Sequence, residues 1–167
     1  MQTQDRIPVT LLTGFLGSGK TTVLNRVLRD PAFSRAVVIV NEFGEIGLDH
    51  ELVVASEDSV VLLESGCLCC ALRGDLVETL CELSERREAG ELDFDRVAIE
   101  TSGLADPTPI LHTLLTHPWL GAAFAMDGVV VTVDAATGLR SLETHEEARR
   151  QAGVADLVLL TKTDLLP

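Results

Sequence analysis

The sequence predicts an α/β fold in which a mostly parallel sheet is sandwiched between two layers of helices. Short apolar runs of strand length, each rich in Val, Leu or Ile, alternate along the chain with longer mixed segments. Hydrophobic residues make up 46% of the chain and aromatic residues only 4%, so the core must be aliphatic, as in a buried parallel sheet. Alternating strands and helices favour right-handed crossovers, which gather ligands at the carboxyl ends of the strands.

The individual elements follow from the spacing of apolar residues. Predicted strands occupy residues 9–12, 36–40, 60–63, 97–99, 129–133 and 157–160. Apolar residues recur at helical spacing in the segments 20–29, 72–89 and 109–116. In the second of these segments, Cys81 lies beside Leu80 and Leu83, and we interpret it as a core residue.

The length of the chain limits how many domains it can form. At 167 residues there is room for one compact domain, which we expect to span residues 1–167. The chain ends three residues after Asp164, directly after a predicted strand. An open α/β domain ordinarily continues there with a helix, so we expect this sequence to be part of a longer protein.

Charge and hydropathy exclude some classes of partner. The net charge of −13 opposes binding to nucleic acids, which requires clustered Lys and Arg, and its simplest role is solubility. The polar N-terminus precedes only a short apolar stretch, unlike a signal peptide. No run approaches the roughly 20 apolar residues that cross a bilayer. We therefore expect a cytoplasmic protein with neither nucleic acid nor membrane as a partner.

A phosphate-binding loop is predicted at residues 14–21. Their sequence, GFLGSGKT, matches the GxxxxGK[ST] pattern and lies between a predicted strand and a predicted helix. Glycines let backbone amides turn toward an anion, and the helix N-terminus adds partial positive charge. We expect Lys20 to reach the β- and γ-phosphates and Thr21 to present its hydroxyl to Mg²⁺. The fold is therefore a P-loop NTPase sandwich, with the predicted loop contacts Gly14, Gly17, Ser18, Gly19, Lys20, Thr21 and Thr22.

A carboxylate ends the strand predicted at residues 97–99. Glu100 follows this strand directly, and Gly103 comes three residues later. In a P-loop fold such a carboxylate helps to hold Mg²⁺ and the glycine amide can contact the γ-phosphate. We therefore predict Glu100 as a catalytic and magnesium-binding residue; the alternative is an exposed carboxylate at a strand end.

The last predicted strand runs into a motif that indicates which base is bound. Thr161, Lys162 and Asp164 form a TKxD sequence, which resembles the [NT]KxD motif of GTPases. Guanine presents two N–H groups on one edge, which the carboxylate of Asp164 can accept, whereas adenine presents an acceptor there. The aliphatic stem of Lys162 can lie along the base. The motif predicts GTP; the alternative is an ordinary solvated strand end.

Three of the four cysteines, Cys67, Cys69 and Cys70, lie in the sequence GCLCC after the third predicted strand. Thiolates prefer borderline or soft cations such as Zn²⁺, Co²⁺ or Cu⁺ to Mg²⁺. In an extended segment Cys67 and Cys69 point one way and Cys70 the other, so two sulfurs plus an outside ligand fit an ion more easily than three. A redox pair and plain buried cysteines are the alternatives.

The order of these motifs resembles the CobW-type family of metal-handling GTPases. The series comprises GFLGSGKTT, NEFGEIGLD at residues 41–49, GCLCC, ETSG at residues 100–103 and TKTD. The resemblance spans essentially the whole chain and implies a GTP-hydrolysing metallochaperone or metal-insertion factor for zinc or cobalt, with a client metalloprotein. It also implies a further C-terminal domain, which this sequence lacks, and places the loop carrying Glu42 beside the cysteines. We therefore favour Glu42 as the outside metal ligand.

The mechanism predicted from these features is a switch shared by nucleotide and metal. GTP and Mg²⁺ would order residues 41–49 through the γ-phosphate, and Glu42 would transmit that state to the metal. Asp49 is a candidate catalytic carboxylate near Mg²⁺ or the attacking water. No glutamine or arginine finger is evident, so slow hydrolysis is expected. The alternatives are a nucleotide-gated binding module for a metalloenzyme and an ATP-dependent phosphotransferase.

Overall fold

The computed structural model describes residues 6–41, 60–63 and 71–166 of the chain. Within those ranges, residues 41, 60–63 and 71–75 are described by their backbone alone. Among the described residues, no helix combines the length and the apolar character needed to span a bilayer.

A single six-stranded sheet organises the described part of the chain. Its strand order is β3-β2-β4-β1-β5-β6, and each neighbouring pair is parallel. The first strand therefore lies at the centre, between β4 and β5. The strand bounds are β1 Ile7–Gly14, β2 Ala36–Asn41, β3 Val60–Leu63, β4 Arg96–Thr101, β5 Phe124–Asp134 and β6 Leu157–Thr161.

Helices cover both faces of this sheet and complete three layers. Apolar residues of β1 and β2 pack with Leu24 of α1 on one face. On the opposite face, a larger cluster joins the sheet to α2, α3 and α4 through residues such as Leu80, Ile110 and Leu120. The helix bounds are α1 Lys20–Leu28, α2 Ala71–Glu88, α3 Thr108–Thr116, α4 Pro118–Ala123, α5 Gly138–Thr144 and α6 Glu146–Gly153, with short 3₁₀ turns at Pro31–Phe33 and Thr163–Leu165.

The predicted fold class is confirmed, and the differences lie in weakly apolar segments. All the predicted strands and the three predicted helices are present. The fifth strand begins at Phe124, ahead of the predicted start at residue 129. Residues 125–128 are not fully buried, so they do not form the continuous apolar run from which the strand was predicted. Three further helices, α4, α5 and α6, were not predicted. Each is short and buries at most two of its residues, so none of the three shows a strong apolar period in the sequence.

Cys81 is a correction to the predicted core. Leu80 and Leu83 on the same helix are buried, but Cys81 is only half-buried. Burial raises the pKa of its thiol, and the nearby carboxylates of Glu85 and Glu78 raise it further. The thiol therefore lies at the boundary between the core and an acidic helix surface.

Candidate functional site

The loop between β1 and α1 uses backbone conformations that favour glycine. Gly14, Gly17 and Gly19 have φ values of 149°, 68° and 89°. At Gly14 a side chain is also excluded by space, because an added Cβ would meet the hydroxyl of Thr132 and lie 2.5 Å from its carbonyl oxygen. The loop can therefore lie directly against β5 only with glycine at this position.

Lys20 begins α1 and folds back over the loop. Its side chain is buried, and Nζ donates to the carbonyl oxygens of Gly14 at 2.9 Å and Phe15 at 3.4 Å. These contacts hold a cation beside the backbone amides of the loop and the N-terminus of α1. The combination of cation, amides and helix N-terminus is suited to a polyanion such as a phosphate chain.

Hydroxyl pairs attach this loop and its strand to the neighbouring strands. The hydroxyls of Ser18 and Thr132 are 2.7 Å apart, which joins the loop to β5. The Thr101 hydroxyl donates to that of Thr13 at 2.7 Å, which joins β4 to β1. All four side chains are buried, so these bonds hold the carboxyl ends of three strands in a defined arrangement.

The Thr21 hydroxyl and the Glu100 carboxylate are brought together as the sequence predicts. Thr21 Oγ1 donates to Glu100 Oε1 at 2.9 Å, and strand register aligns Glu100 with Leu12 of β1. Glu100 is 6% exposed, so the alternative of an exposed strand-end carboxylate is wrong. A hydroxyl and a carboxylate beside a phosphate-type loop are the oxygen donors that Mg²⁺ prefers, and the residues present fit that ion.

We call residues 102–107, which follow β4, the post-β4 segment. Gly103 in this segment lies against the loop: an added Cβ would be 2.7 Å from Leu16 Cδ2 and 2.9 Å from the Leu16 backbone nitrogen and Cα. Any larger residue would have to push the two segments apart. Gly103 is therefore within reach of the phosphate loop, as its predicted role requires.

The TKxD motif packs against the same loop. Thr161 Oγ1 donates to the Ser18 carbonyl oxygen at 2.7 Å, and an added Cβ at Gly19 would lie 3.4 Å from Thr161. Lys162 adopts a left-handed backbone conformation with φ 53°. Asp164 is exposed at the 3₁₀ turn Thr163–Leu165, and Thr22 of α1 is also exposed. Both side chains are thus open to a ligand.

Asp134 is a member of the site that sequence reasoning missed. Its Oδ2 accepts from Lys162 Nζ at 2.7 Å, and its Oδ1 accepts from the backbone nitrogens of Ala136 at 2.8 Å and Thr137 at 3.1 Å. The bond from Lys162 lowers the pKa of Asp134 to about 2, against the opposing effect of burial. The residue ends a predicted apolar strand, as Glu100 does, and that signal could have identified it.

The predicted transition-metal site lies outside the described residues. This applies to the proposed ligands Glu42, Cys67, Cys69 and Cys70, and the candidate catalytic carboxylate Asp49 also lies outside the described residues. Within the described ranges, no group of three or more His, Cys, Asp or Glu side chains is arranged to hold a metal ion. The sequence-based assignment of these five residues therefore stays a prediction.

Comparison with known proteins identifies a family that covers almost the whole chain. Residues 8–167 match the model of the CobW/HypB/UreG nucleotide-binding domain. The chain is 41% identical over 159 residues to the zinc chaperone YjiA of Escherichia coli, covering 95% of this chain and 50% of that protein. It is 34% identical over 171 residues to zinc-regulated GTPase metalloprotein activator 1 of Schizosaccharomyces pombe, covering 98% of this chain and 41% of that protein.

Solved structures agree with the fold. The crystal structure of Zn(II)-bound YjiA GTPase from E. coli matches with a TM-score of 0.73 and 35% identity, over 96% of this chain and 51% of that chain. HypB from Helicobacter pylori, in complex with nickel, matches with a TM-score of 0.59 and 18% identity, over 91% of this chain and 62% of that chain, which supports the fold alone. The chain spans about half the length of the curated relatives it matches.

Proposed function

The chain belongs to the CobW/HypB/UreG family of nucleotide-binding domains, and from that premise we propose that it is a GTP-binding and GTP-hydrolysing metallochaperone or metal-insertion factor. Its nucleotide state would control the binding and transfer of Zn²⁺ or Co²⁺ to a client metalloprotein. Relatives named as zinc chaperones and as a zinc-regulated GTPase support this proposal.

The observation that carries the nucleotide half is the pairing of Thr21 with Glu100 beside Lys20. The hydroxyl and the carboxylate come from different elements and meet at 2.9 Å, while the Lys20 ammonium lies over the loop carbonyls. Here the cation is bound to the Gly14 carbonyl, which a phosphate oxygen can replace as its partner.

The division of labour among these residues follows from their chemistry. In the proposal, Thr21 and Glu100 hold Mg²⁺, which when bound neutralises charge that develops on the phosphate oxygens. Lys20 binds the β- and γ-phosphates, and the Gly103 amide donates to the γ-phosphate. Asp49, whose position is not described, would act near Mg²⁺ or the attacking water. Since the sequence shows neither a glutamine placed after Gly103 to orient this water nor an arginine finger, slow turnover is expected.

Guanine is the base that the TKxD motif fits best. The Asp164 carboxylate can accept two N–H bonds from guanine, and adenine lacks this pair of donors. The bond from Thr161 to Ser18 holds the motif against the phosphate loop, so base and phosphates would be read by one connected unit. Competition of GTP against ATP tests this choice, and equal competition would favour the alternative of an ATP-dependent phosphotransferase.

The metal half rests on sequence and family. Two thiolates from the set Cys67, Cys69 and Cys70, with the Glu42 carboxylate, would bind the transferred ion, whereas Mg²⁺ would go to the oxygen ligands Thr21 and Glu100. A site with three protein ligands leaves an exchangeable position, which delivery requires. Sorting by ligand type would thus keep the cargo ion and the nucleotide's ion apart.

The decisive experiment measures Zn²⁺ affinity with GDP and with a non-hydrolysable GTP analogue. Coupling must be reciprocal: if the GTP analogue tightens metal binding tenfold, the metal tightens binding of the analogue tenfold, a coupling of about 1.4 kcal/mol. Replacing Cys67, Cys69 and Cys70 with Ser is expected to remove metal binding and to leave nucleotide binding in place. Equal metal affinities in the two nucleotide states would contradict the proposal and leave a plain nucleotide-binding module.

A further inference from the structure

Gln151 is a fully buried polar residue on α6 whose side chain, among the described residues, hydrogen-bonds to the post-β4 segment. Its Nε2 donates to the carbonyl oxygens of Gly103 at 3.1 Å and Ala105 at 3.0 Å. Both donors of the carboxamide face this segment, and no described residue hydrogen-bonds its Oε1. Exchanging oxygen and nitrogen would aim an acceptor at two carbonyls, so the contacts themselves define the orientation of the amide.

The segment that Gln151 holds has little space in which to move. On one side Gly103 lies against Leu16 of the phosphate loop, where an added Cβ would come within 2.9 Å of backbone atoms. On the other side, Gln151 Nε2 donates to the carbonyl oxygen of Gly103. The peptide group at residue 103 is thus held between α6 and the loop.

An exposed contact reinforces the same connection. Arg150 Nη1 donates to Asp106 Oδ2 at 3.1 Å, and Asp106 Oδ1 accepts from the Thr108 backbone nitrogen at 2.9 Å. Burial raises the pKa of Asp106, but the hydrogen bonds from Thr108 and Arg150 outweigh it and the pKa lies below its ordinary value. Neighbouring residues of α6 therefore bind the beginning and the end of the segment.

The same helix also flanks the phosphate loop. His145, which precedes α6, stacks its ring on Phe15 of the loop, with centroids 4.5 Å apart and an interplanar angle of 27°. Gln151, Phe15 and Leu16 line one small cavity between helix and loop. The start of α6 thus contacts the loop, while its later turns bind the segment that carries Gly103.

From these contacts we infer that Gln151 is a positioning residue for the γ-phosphate. By binding the Gly103 and Ala105 carbonyls it holds the Gly103 amide against the phosphate loop, where the terminal phosphate of a nucleoside triphosphate would lie. The inference rests on the proposed GTP site and adds a source of discrimination between triphosphate and diphosphate. The Gly103 amide is oriented when the protein folds, so binding of the nucleotide does not require a further loss of conformational entropy there.

The test compares the affinities of a non-hydrolysable GTP analogue and GDP for three α6 variants. Gln151→Met keeps the length of the side chain and removes both donors. We expect the affinity for the analogue to fall roughly tenfold or more, the effect of about two net hydrogen bonds, and the affinity for GDP to stay within about twofold. Gln151→Glu sets a carboxylate against two carbonyls and should lower analogue affinity further.

Arg149→Met is the matched control. Arg149 also lies on α6 and donates to two backbone carbonyls, those of Leu142 at 2.8 Å and Glu143 at 3.1 Å, but these belong to α5. Its ratio of GTP-analogue to GDP affinity should equal that of the wild type. Equal losses for both nucleotides in the Gln151 variants would overturn the inference and leave Gln151 as an ordinary structural residue.

Two further outcomes remain interpretable. If both Gln151 variants fail to fold, Arg150→Met decides, because that side chain is 53% exposed and its bond to Asp106 is on the surface. A loss of about two- to threefold restricted to the GTP analogue supports the inference, and an unchanged ratio overturns it. If the wild-type protein binds neither nucleotide, the proposed function is wrong. If the wild type binds both and only the Gln151 variants behave unexpectedly, the inference about Gln151 is wrong and the proposed function stands.

Discussion

The Thr161 hydroxyl donates to the carbonyl oxygen of Ser18 at 2.7 Å, and so joins the end of the last strand to the phosphate loop. The same hydroxyl lies 3.3 Å from the Val133 carbonyl oxygen, and the Ala135 backbone nitrogen donates to the Thr161 carbonyl oxygen at 2.9 Å. Thr161 therefore connects β5, β6 and the loop. A ligand whose base contacts TKxD and whose phosphates contact the loop would bind a single preformed unit.

Thr161→Val should weaken GTP and GDP binding to a similar degree. Valine keeps the shape of the side chain but removes the donor, and one lost hydrogen bond of about 1 kcal/mol corresponds to roughly fivefold in affinity. The loss should be common to both nucleotides because Ser18 and TKxD do not distinguish the number of phosphates. Titration calorimetry with each nucleotide measures it.

The matched control for this change is Thr163→Val, in the same motif. Thr163 is exposed, and its substitution should leave both affinities within about twofold. A Thr161 variant with wild-type affinities would mean that the bond to Ser18 does not position the motif.

Asp164→Asn should change the preferred base. An asparagine side chain presents an N–H donor, which cannot accept both guanine N–H groups but can donate to the 2-oxo group of xanthine. We expect GTP affinity to fall by about 10- to 100-fold, as for the loss of one bidentate base contact, and the affinity for xanthosine triphosphate to rise. Competition between the two triphosphates measures the exchange of specificity.

Asp127→Asn serves as the comparison for charge alone. Asp127 precedes the part of β5 that leads to the site, and its carboxylate accepts from Thr10 Oγ1 at 3.3 Å. The Asp127→Asn substitution removes one negative charge, as Asp164→Asn does, but it should not alter the preference between guanine and xanthine nucleotides. Loss of GTP affinity with no gain for the xanthine nucleotide would argue against contact between Asp164 and the base.

Glu100→Gln should uncouple GTP binding from Mg²⁺. Glutamine keeps the size of the side chain and an oxygen that can accept from Thr21, but it removes the charge that attracts the cation. We expect the Mg²⁺-dependent gain in GTP affinity to shrink about tenfold and turnover to fall at least as much. Affinity is measured at a series of Mg²⁺ concentrations, and single-turnover hydrolysis in parallel.

An exposed glutamate on α2 provides the control for Glu100. Glu82→Gln makes the same chemical change away from the loop and should leave the Mg²⁺ dependence unaltered. If Glu100→Gln retains the wild-type Mg²⁺ dependence, Glu100 is a structural partner of Thr21 and another group holds the ion.

A residue of this site can be predicted from the sequence only where a recognisable local pattern surrounds it. Glu100 carries such a signal, because a predicted strand precedes it and Gly103 follows it, and the phosphate loop carries one in its glycine spacing. Asp134 ends an equally clear strand, but it was missed because no motif accompanies it. Gln151 has no local signal: it lies in a polar helix, and the hydrogen bonds of its buried side chain go to residues 103 and 105, which are distant in sequence.

The bond between Lys162 and Asp134 stabilises the TKxD motif, in which Lys162 has a left-handed backbone conformation that non-glycine residues rarely adopt. Lys162 has a φ of 53°, which is unfavourable for a side chain with a Cβ, and its Nζ lies 2.7 Å from Asp134 Oδ2. Asp134→Asn keeps the shape but removes the charge. We expect lower stability at neutral pH and a loss of about two- to tenfold in GTP affinity.

The pH dependence of this loss separates the charge of Asp134 from its shape. The pKa of Asp134 falls from 3.8 to about 2 in the folded protein, so its ionised form favours folding. That contribution is fully present above the ordinary pKa and is lost as pH falls through the folded value. The free energies of unfolding of wild type and Asp134→Asn, measured by urea titration, should therefore differ by a constant amount above about pH 5 and converge between about pH 4 and pH 2. Asp127→Asn controls for the general loss of a carboxylate, and a difference for Asp134→Asn that persists unchanged to pH 2 would show that shape, rather than charge, accounts for the role of Asp134.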